Sequence, residues 1–142
     1  MKKLCLLLLI CCLFGCGSKE TTTVCKLEND VVTITNTLVS VKDKLIKQTN
    51  VNQLEFTKYG YTAEQMKYAA ENYKSVYDKI GVEYTYSIDG NYLKETVVVD
   101  YENTDFNQLA SAGLIESVDE NVKVVSLEKT LDSYKKQGFT CE

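Results

Sequence analysis

The side chains in this sequence that could do acid, base or nucleophilic chemistry are Ser, Thr, Lys, Tyr, Cys and the carboxylates, because His and Arg are absent. Without imidazole, the chain lacks the base of Ser-His-Asp triads and Cys-His pairs, and also the commonest metal ligand. Without guanidinium, it lacks the bidentate grip on carboxylates and phosphates. We therefore expect no metal centre of the usual His-bearing kinds, no cofactor and no assigned catalytic residue.

Ser126 and Lys129 stand at the S-x-x-K spacing of penicillin-interacting serine enzymes, in which a Lys one helical turn later tunes the Ser. Those enzymes need two further sequence elements and a far larger fold. We therefore expect Ser126 to cap a helix and Lys129 to be solvated. The carboxylate pairs at 100–102 and 119–120 lack the spacing of a calcium loop, and we expect them in turns or on strand faces.

The amino terminus has the form of a signal peptide. Two lysines, Lys2 and Lys3, precede an apolar run of eleven residues, 4–14. At ~1.5 Å per helical residue the run covers ~17 Å, which is well short of the ~30 Å hydrocarbon core of a bilayer. A permanent membrane-spanning helix is therefore the weaker interpretation.

The apolar run ends in Leu13-Phe14-Gly15-Cys16, which resembles the bacterial lipobox. The resemblance implies that the Cys16 thiol receives a diacylglyceryl group and that a lipoprotein signal peptidase cuts before it. Phe14 departs from the pattern, since small or β-branched residues are usual at that place. Ordinary secretion, with cleavage near 17–18, is the alternative.

Cleavage before Cys16 would divide the chain into a signal peptide (1–15), a lipidated Cys with a short tether (16–23) and one domain (24–142). The polar tether and the lipid would hold the domain on the outer face of a bacterial membrane. Removal of Lys2 and Lys3 changes the net charge from −4 to about −6. Nucleic acid is therefore an improbable partner, since clustered cations supply most of the affinity in such complexes.

Of the six cysteines, only Cys25 and Cys141 lie beyond the predicted cut. An even pair outside the cytoplasm is typical of a disulfide. A bridge closing so long a loop could contribute up to ~5 kcal/mol to stability. It would join the first strand to the last. Two buried free thiols are the alternative.

The first part of the domain is rich in Val, Ile, Thr and Leu, which predicts strands near 23–28, 31–41 and 45–57 in an antiparallel meander. From 32 to 38, Thr alternates with aliphatic residues, the pattern of a sheet with one wet face. Asn36 interrupts the apolar side. We therefore expect a bulge or a shift of register near it.

A helix is predicted from Thr62 to Ile80, with Gly81 as its stop. Thr62 and Gln65 have the spacing of a capping box. The inward face of this helix is predicted to carry Met66, Ala69, Ala70, Tyr73, Val76, Tyr77 and Ile80.

The dipeptide Asp89-Gly90 tolerates the positive φ angles of a tight turn and predicts a hairpin between Val82 and Tyr101. On one face of that hairpin, Tyr84, Tyr86 and Ile88 are predicted to lie opposite Leu93, Val97, Val99 and Tyr101. The remaining elements, in chain order, are a short helix capped by Thr104 or Asp105 and ended by Gly113, a turn at 119–121, a strand at 122–125, a helix from Ser126 to Gly138 with Leu127, Leu131 and Tyr134 inward, and an extended end at 139–141.

These elements predict an α+β fold: a single domain whose mostly antiparallel sheet, of about five to six strands, carries two to three helices packed on one face. The order of lipobox, Thr- and Val-rich meander, helix, Tyr-rich hairpin and a closing helix that ends in Gly138-Phe139 resembles the YehR-type lipoproteins. That family is a domain of unknown function without assigned catalytic residues. The resemblance implies a lipid-anchored, extracytoplasmic location and a single domain.

Ten Tyr in a chain without Trp are the one compositional feature that suggests a binding site, since an amphipathic ring serves carbohydrate, peptide and aromatic ligands. If some rings take core positions, others are exposed. We predict a ligand-binding groove formed by Tyr84, Tyr86, Tyr92 and Tyr101.

Three functions remain open from the sequence. The first is a non-enzymatic envelope lipoprotein that binds a small ligand, a peptide, a cell-wall component or a partner protein beside the membrane. The second is a small envelope hydrolase or transferase that uses Ser, Lys or carboxylates, and it predicts a pocket holding several of these groups with shifted pKa values. The third is a structural or inhibitory module, which predicts an exposed apolar or Tyr-rich patch.

Overall fold

The computed structural model describes residues 18–115 and 124–142. The strands are β1 (Glu20–Glu28), β2 (Val32–Val41), β3 (Lys44–Glu55), β4 (Glu83–Asp89), β5 (Tyr92–Asp100) and β6 (Thr140–Cys141). The α-helices are α1 (Ala63–Lys79), α2 (Phe106–Ser111) and α3 (Leu127–Lys136), and a short 3-10 helix spans Phe56–Tyr59.

The six strands form one open antiparallel sheet in the order β4-β5-β3-β2-β1-β6. Three consecutive strands make the predicted meander, and β4 and β5 make the predicted hairpin. The chain then returns to the opposite edge, where β6 pairs with β1. The α+β prediction, with six strands and three helices in the described residues, is confirmed.

The core lies between one face of the sheet and the helices. Side chains alternate across each strand, so every second residue of β2 faces this core. The buried cluster draws on strands, helices and the C-terminal segment, with partly buried residues of α3 packed against it. Its buried members are Cys25, Leu38, Leu45, Ala70, Val82, Tyr84, Val97, Val99, Tyr101, Leu109 and Phe139.

A shift of register lies near Asn36, as predicted, but it does not involve Asn36 itself. Asn36 pairs with Asn50 in unbroken register, and the ladder shifts between Val39 and Ser40 instead. A buried amide does not need to leave the sheet when the neighbouring strand supplies hydrogen-bond partners. Strand β3 supplies them to Asn36, as described below.

Helix α1 begins as predicted. The Thr62 side chain accepts a hydrogen bond from the backbone N–H of Gln65, and the Gln65 side chain accepts one from the backbone N–H of Thr62. The predicted inward face is too wide, however, because Tyr73 is 54% exposed and Val76 is 46% exposed. Helix α1 lies over β4 at one side of the sheet, so only a narrow stripe of the helix is covered.

Helices α2 and α3 and the extended end correspond to the predictions, whereas Val124 and Val125 do not form the predicted strand and the adjacent Ser126 makes only an isolated bridge with Lys44. Asp105, rather than Thr104, caps α2 by accepting a hydrogen bond from the backbone N–H of Gln108. The predicted turn at 119–121 and part of the predicted strand at 122–125 lie outside the described residues. The first strand begins at Glu20, so the last four residues of the predicted tether belong to β1.

Candidate functional site

Four uncharged amide side chains occupy the centre of the core-facing side of the sheet: Asn36 on β2, and Gln48, Asn50 and Asn52 on β3. We call them the amide cluster. Asn36 lies directly opposite Asn50 in the ladder, and the two other amides flank Asn50 at every second position of β3. A sheet face that packs against helices normally buries apolar side chains, so four amides there need an explanation.

Hydrogen bonds within the sheet account for part of the amide cluster. The Asn36 Oδ1 atom accepts from Asn50 Nδ2 at 2.7 Å and from Gln48 Nε2 at 3.2 Å. Gln48 Nε2 also donates to the hydroxyl of Tyr134 on α3 at 3.0 Å, and Gln48 Oε1 accepts from the Tyr101 hydroxyl at 2.8 Å. The cluster therefore connects β2, β3, the end of β5 and α3.

Asn52 is not satisfied in the same way. Its Oδ1 atom is buried and has no hydrogen-bond partner among the described residues. Asn52 on β3 lies opposite Glu95 on β5 in the ladder. The Glu95 carboxylate accepts a hydrogen bond from the Tyr84 hydroxyl. An unpaired buried acceptor is costly, so a group that donates to Asn52 would be favoured at this place.

Two adjacent cavities open beside the amide cluster. One has a volume of about 340 Å³ and is lined by all four amides of the cluster, and the other has a volume of about 560 Å³ and extends along α3. Gln48, Gly113, Leu114, Tyr134 and Gln137 line both. The smaller cavity is further lined by Ile34, Asn36, Asn50, Asn52, Tyr77, Val97, Val99 and Phe139.

The tyrosines that reach the amide cluster are uncharged at neutral pH. Burial raises the pKa of the Tyr101 hydroxyl well above its ordinary value of 10.0, and burial likewise raises the pKa of Tyr134. Burial and the hydrogen bond to Glu95 raise the pKa of Tyr84. The smaller cavity thus offers neutral donors and acceptors on apolar walls, and those of its lining residues that the structure describes include no Lys, Asp or Glu.

Ser126 and Lys129 have the structural roles expected from the sequence. The Ser126 Oγ atom accepts from the backbone N–H of Lys129 at 3.2 Å and caps α3, while Lys129 is exposed at the edge of the larger cavity. The start of α3 has a further hydrogen bond, in which the side chain of Asp43, in the turn between β2 and β3, accepts from the backbone N–H of Glu128 at 2.8 Å. That bond, with the Ser126 hydroxyl, lowers the pKa of Asp43 below 3.8.

Asp100 and Glu102, the described carboxylate pair, have separate partners and do not form a joint binding site. Asp100 accepts from the backbone N–H groups of Glu102 and Asn103, and the side-chain amide of Asn103 contributes most to lowering the pKa of Asp100. Glu102 forms an exposed ion pair with Lys44 at 3.1 Å. The pair at 119–120 lies outside the described residues. Within 18–115 and 124–142, no group of three or more Cys, Asp or Glu could hold a metal ion.

The four tyrosines of the predicted groove are not brought together as an exposed surface. Tyr84 and Tyr101 are 3% and 4% exposed and belong to the core. Tyr86 is half-buried beside Tyr84 and donates to Glu71, whereas Tyr92 is 43% exposed at the turn between β4 and β5. Tyr101 is the member that contacts the amide cluster. Tyr101 directly follows β5 and continues the alternation that places Val97 and Val99 in the core.

Cys25 and Cys141 lie opposite one another on β1 and β6, with their Cα atoms 4.0 Å apart and their sulfur atoms at bonding distance. Cys25 also lies opposite Asn36 on the other side of β1, so the pair borders the amide cluster. Cys16 lies outside the described residues. In the described ranges, no helix has both the length and the apolar character needed to cross a membrane.

A protein-family model described as "Protein of unknown function (DUF1307)" matches residues 20–140. The chain belongs to the DUF1307 family. This match begins with β1 and ends at the first residue of β6, and together with the relatives below it confirms the resemblance to the YehR-type lipoproteins. Membership of DUF1307 carries no activity with it, so the amide cluster has to be interpreted from its own geometry.

Solved and curated relatives agree with the fold of this DUF1307 domain. The uncharacterized lipoprotein YehR of Escherichia coli strain K12 is 27% identical over 137 residues, which cover 92% of this chain and 88% of that protein. The NMR structure of E. coli YehR matches with a TM-score of 0.73 at 26% identity and covers 88% of this chain and 92% of that one. An NMR structure of a protein from Streptococcus pneumoniae TIGR4 shares the fold, with a TM-score of 0.60, 14% identity and coverage of 87% and 86%.

Sequence reasoning did not identify Gln48, Asn50 and Asn52 as candidate site residues. A signal was present, since three amides occupy alternate positions of one predicted strand. Alternation places such residues on one face of a sheet, but it does not say whether that face is wet or buried. The burial of Asn36 on the neighbouring strand decides the matter, and only the assembled sheet shows it.

Proposed function

We propose that this chain is a non-enzymatic lipoprotein of the bacterial cell envelope that binds a small uncharged ligand in the cavities beside the amide cluster. The observation that carries the ligand site is the set of buried, neutral hydrogen-bonding groups on the wall of a cavity whose size falls within the range of small-molecule sites. A pocket of apolar walls with a few convergent polar groups is the usual form of such a site.

The anchoring half of the proposal rests on the amino terminus and on the relatives. We propose that residues 1–15 are a signal peptide, that Cys16 carries the lipid, and that a short tether joins it to the folded domain. The E. coli relative is named a lipoprotein. The membrane, through this lipid, and a small ligand, peptide, cell-wall component or envelope protein are then the partners, with no nucleic acid among them.

An oxidising location also suits the cysteine pair. We propose that Cys25 and Cys141 form a disulfide after export, because their positions on paired strands allow the bond without backbone movement. The bond would hold β6, and with it the end of α3, against β1. Phe139 and Tyr134, which line the smaller cavity, belong to this C-terminal segment.

The non-enzymatic part of the proposal is supported by how Ser126 is used. Its hydroxyl is engaged in capping α3 and in the bond with Asp43, so the Ser126-Lys129 spacing serves the helix start. The larger cavity, which both residues line, contains no carboxylate among its described lining residues. A binding role therefore accounts for the groups around these cavities better than nucleophilic chemistry does.

Intact mass of the protein extracted from membranes tests the anchor. We expect the mass of residues 16–142 plus a diacylglyceryl group, with two thiols that react with an alkylating reagent only after reduction. A Cys16→Ser variant should lose the lipid and the membrane association. An uncut chain, or a mature chain without lipid, would contradict the proposal.

Thermal denaturation with a panel of neutral probes tests the binding site. The panel contains glucose, N-acetylglucosamine and N-acetyl-leucinamide, and a ligand that binds the folded state should raise the midpoint. Gln137 lines both cavities from an exposed position after α3, so Gln137→Trp should obstruct them and abolish the increase. Lys136→Trp, one residue earlier and outside both linings, is the matched control and should keep it. If none of the probes stabilises the wild type, this part of the proposal fails.

A further inference from the structure

We infer that the ligand of the smaller cavity is a neutral peptide amide with an apolar side chain, and that Asn52 is the residue that selects it. This inference rests on the proposed binding function and adds the chemical class of the ligand. The argument depends on three features of the cavity: the hydrogen-bonding capacity of the amide cluster, the charge beside it and the composition of its walls.

Among the described residues, the buried atom of the cluster that is left without a hydrogen-bond partner belongs to Asn52. Asn36 Oδ1 already accepts two hydrogen bonds, and Gln48 uses both its Nε2 and its Oε1 atoms. Asn52 Oδ1, by contrast, is buried without a partner among the described residues. A carboxamide side chain offers an acceptor beside donors, and a peptide amide offers the complementary donor and acceptor. A ligand amide can therefore supply the N–H that Asn52 lacks.

The charge around Asn52 favours a neutral ligand. The described residues that line the smaller cavity include neither a cationic nor an anionic side chain that could pair with a charged ligand. The nearest carboxylate in the ladder is Glu95, directly opposite Asn52. Burying an anion without a partner is strongly unfavourable, and a carboxylate beside it adds like-charge repulsion. A free carboxylate or a phosphate should therefore bind much more weakly than an amide.

The walls of the smaller cavity favour an apolar side chain over a sugar ring. Ile34, Val97, Val99 and Leu114 present aliphatic groups that can neither donate nor accept. A sugar carries hydroxyl groups around its ring, and those turned toward these walls would be left unpaired. A leucine-sized side chain has no such groups and gains from burial. A volume of about 340 Å³ suits a ligand of this small size.

Calorimetric titration of the mature protein with four probes tests the inference. N-acetyl-leucinamide is neutral, N-acetyl-leucine carries a carboxylate, leucinamide carries an ammonium group, and N-acetylglucosamine carries an amide on a sugar. We expect the first to bind at least tenfold more tightly than each of the others. Preference for N-acetylglucosamine would overturn the inference and leave the proposed function standing. Preference for either charged probe would overturn both the inference and the uncharged ligand of the proposed function, and a failure of all four would remove both.

Substitution of Asn52 tests its role as the selecting residue. Asn52→Leu should weaken N-acetyl-leucinamide at least tenfold and reduce its advantage over N-acetyl-leucine. Gln53→Leu, on the exposed opposite face of the same strand, is the matched control and should change neither value. Circular dichroism and the unfolding midpoint establish that both variants fold, and the comparison of probes in the wild type stands independently of the variants. Unchanged binding by folded Asn52→Leu would refute the assignment.

Discussion

At the scale of single residues, Asn36 shows how a polar side chain is retained in the core. It is 2% exposed, yet its carbonyl oxygen accepts from two neighbouring amides. Removing one member of such a network exposes its partners to the full cost of lost hydrogen bonds. The amide cluster is therefore a unit, and the loss of its central acceptor should be felt by Gln48 and Asn50 together.

We predict that Asn36→Ala lowers the free energy of unfolding by about 1–3 kcal/mol, because it leaves buried donors of Gln48 and Asn50 without their acceptor. Urea denaturation of the variant and the wild type measures this difference. Asn72→Ala, at an exposed position of α1, is the control and should change stability by less than about 0.5 kcal/mol. Equal effects at the two sites would show that the cluster does not act as described.

Tyr101 makes the free energy of unfolding depend on pH in the alkaline range. Burial raises the pKa of its hydroxyl above the unfolded value of 10.0, so the contribution to stability is complete below pH 10.0 and is lost as pH rises further. We expect the free energy of unfolding to fall above that pH. In Tyr101→Phe the fall should be shallower, since the titrating group is gone. Parallel curves for both proteins from pH 9 to 11 would contradict this prediction.

At the scale of elements, the start of α3 depends on a turn that is distant in the sequence. The Asp43 side chain accepts from the backbone N–H of Glu128, and the Asp43 carbonyl oxygen accepts from the backbone N–H of Leu127. The free N–H groups of a helix start favour a negative charge there. The β2–β3 turn thus fixes where α3 begins, and α3 brings Tyr134 to the amide cluster.

We predict that Asp43→Asn lowers the thermal midpoint at pH 7, because the negative charge at the start of α3 is lost. The backbone N–H of Glu128 contributes most to depressing the pKa of Asp43 below 3.8, so the stabilisation is present above that value and disappears as pH falls through the lower folded pKa. The difference between variant and wild type should therefore narrow at pH 3. Asp132→Asn, at an exposed position of α3, serves as the control. A gap that is the same at both pH values would refute the electrostatic cause.

At the scale of the whole molecule, the shortest strand forms one edge of the sheet. Strand β6 has two residues and pairs with β1 at Cys25 and Lys26. So short a strand contributes few hydrogen bonds of its own. The proposed bond between Cys25 and Cys141, 116 positions apart, would therefore be the main restraint on the C-terminal segment that carries Phe139.

We predict that replacing both cysteines, Cys25→Ser with Cys141→Ser, lowers the free energy of unfolding by about 2–5 kcal/mol, as is typical when a native disulfide is lost. Urea denaturation of the oxidised wild type and the double variant measures the difference. The reduced wild type should resemble the double variant. If reduction leaves the stability of the wild type unchanged, the two cysteines are not joined in the mature protein.

The residues of the candidate site were predicted only in part from the sequence. Tyr101 was expected on the same face of the hairpin as Val97 and Val99, where the structure buries it, but it was assigned to a ligand-binding groove. Gln48, Asn50 and Asn52 had no identifiable role until the packing of α3 over the sheet was known. Local patterns report which residues share a face, whereas burial depends on which distant element covers that face.

Local chemistry in the sequence alone determined the class of the fold, the capping box of α1, the hairpin turn that follows Asp89 and the Ser126 cap of α3, because each depends on residues close together in the chain. The order of the strands, the burial of Asn36 and the opening of cavities beside Asn52 were decided by tertiary structure. These features arise from contacts between segments far apart in the chain, such as β2 with α3 through Gln48, and no local pattern encodes them.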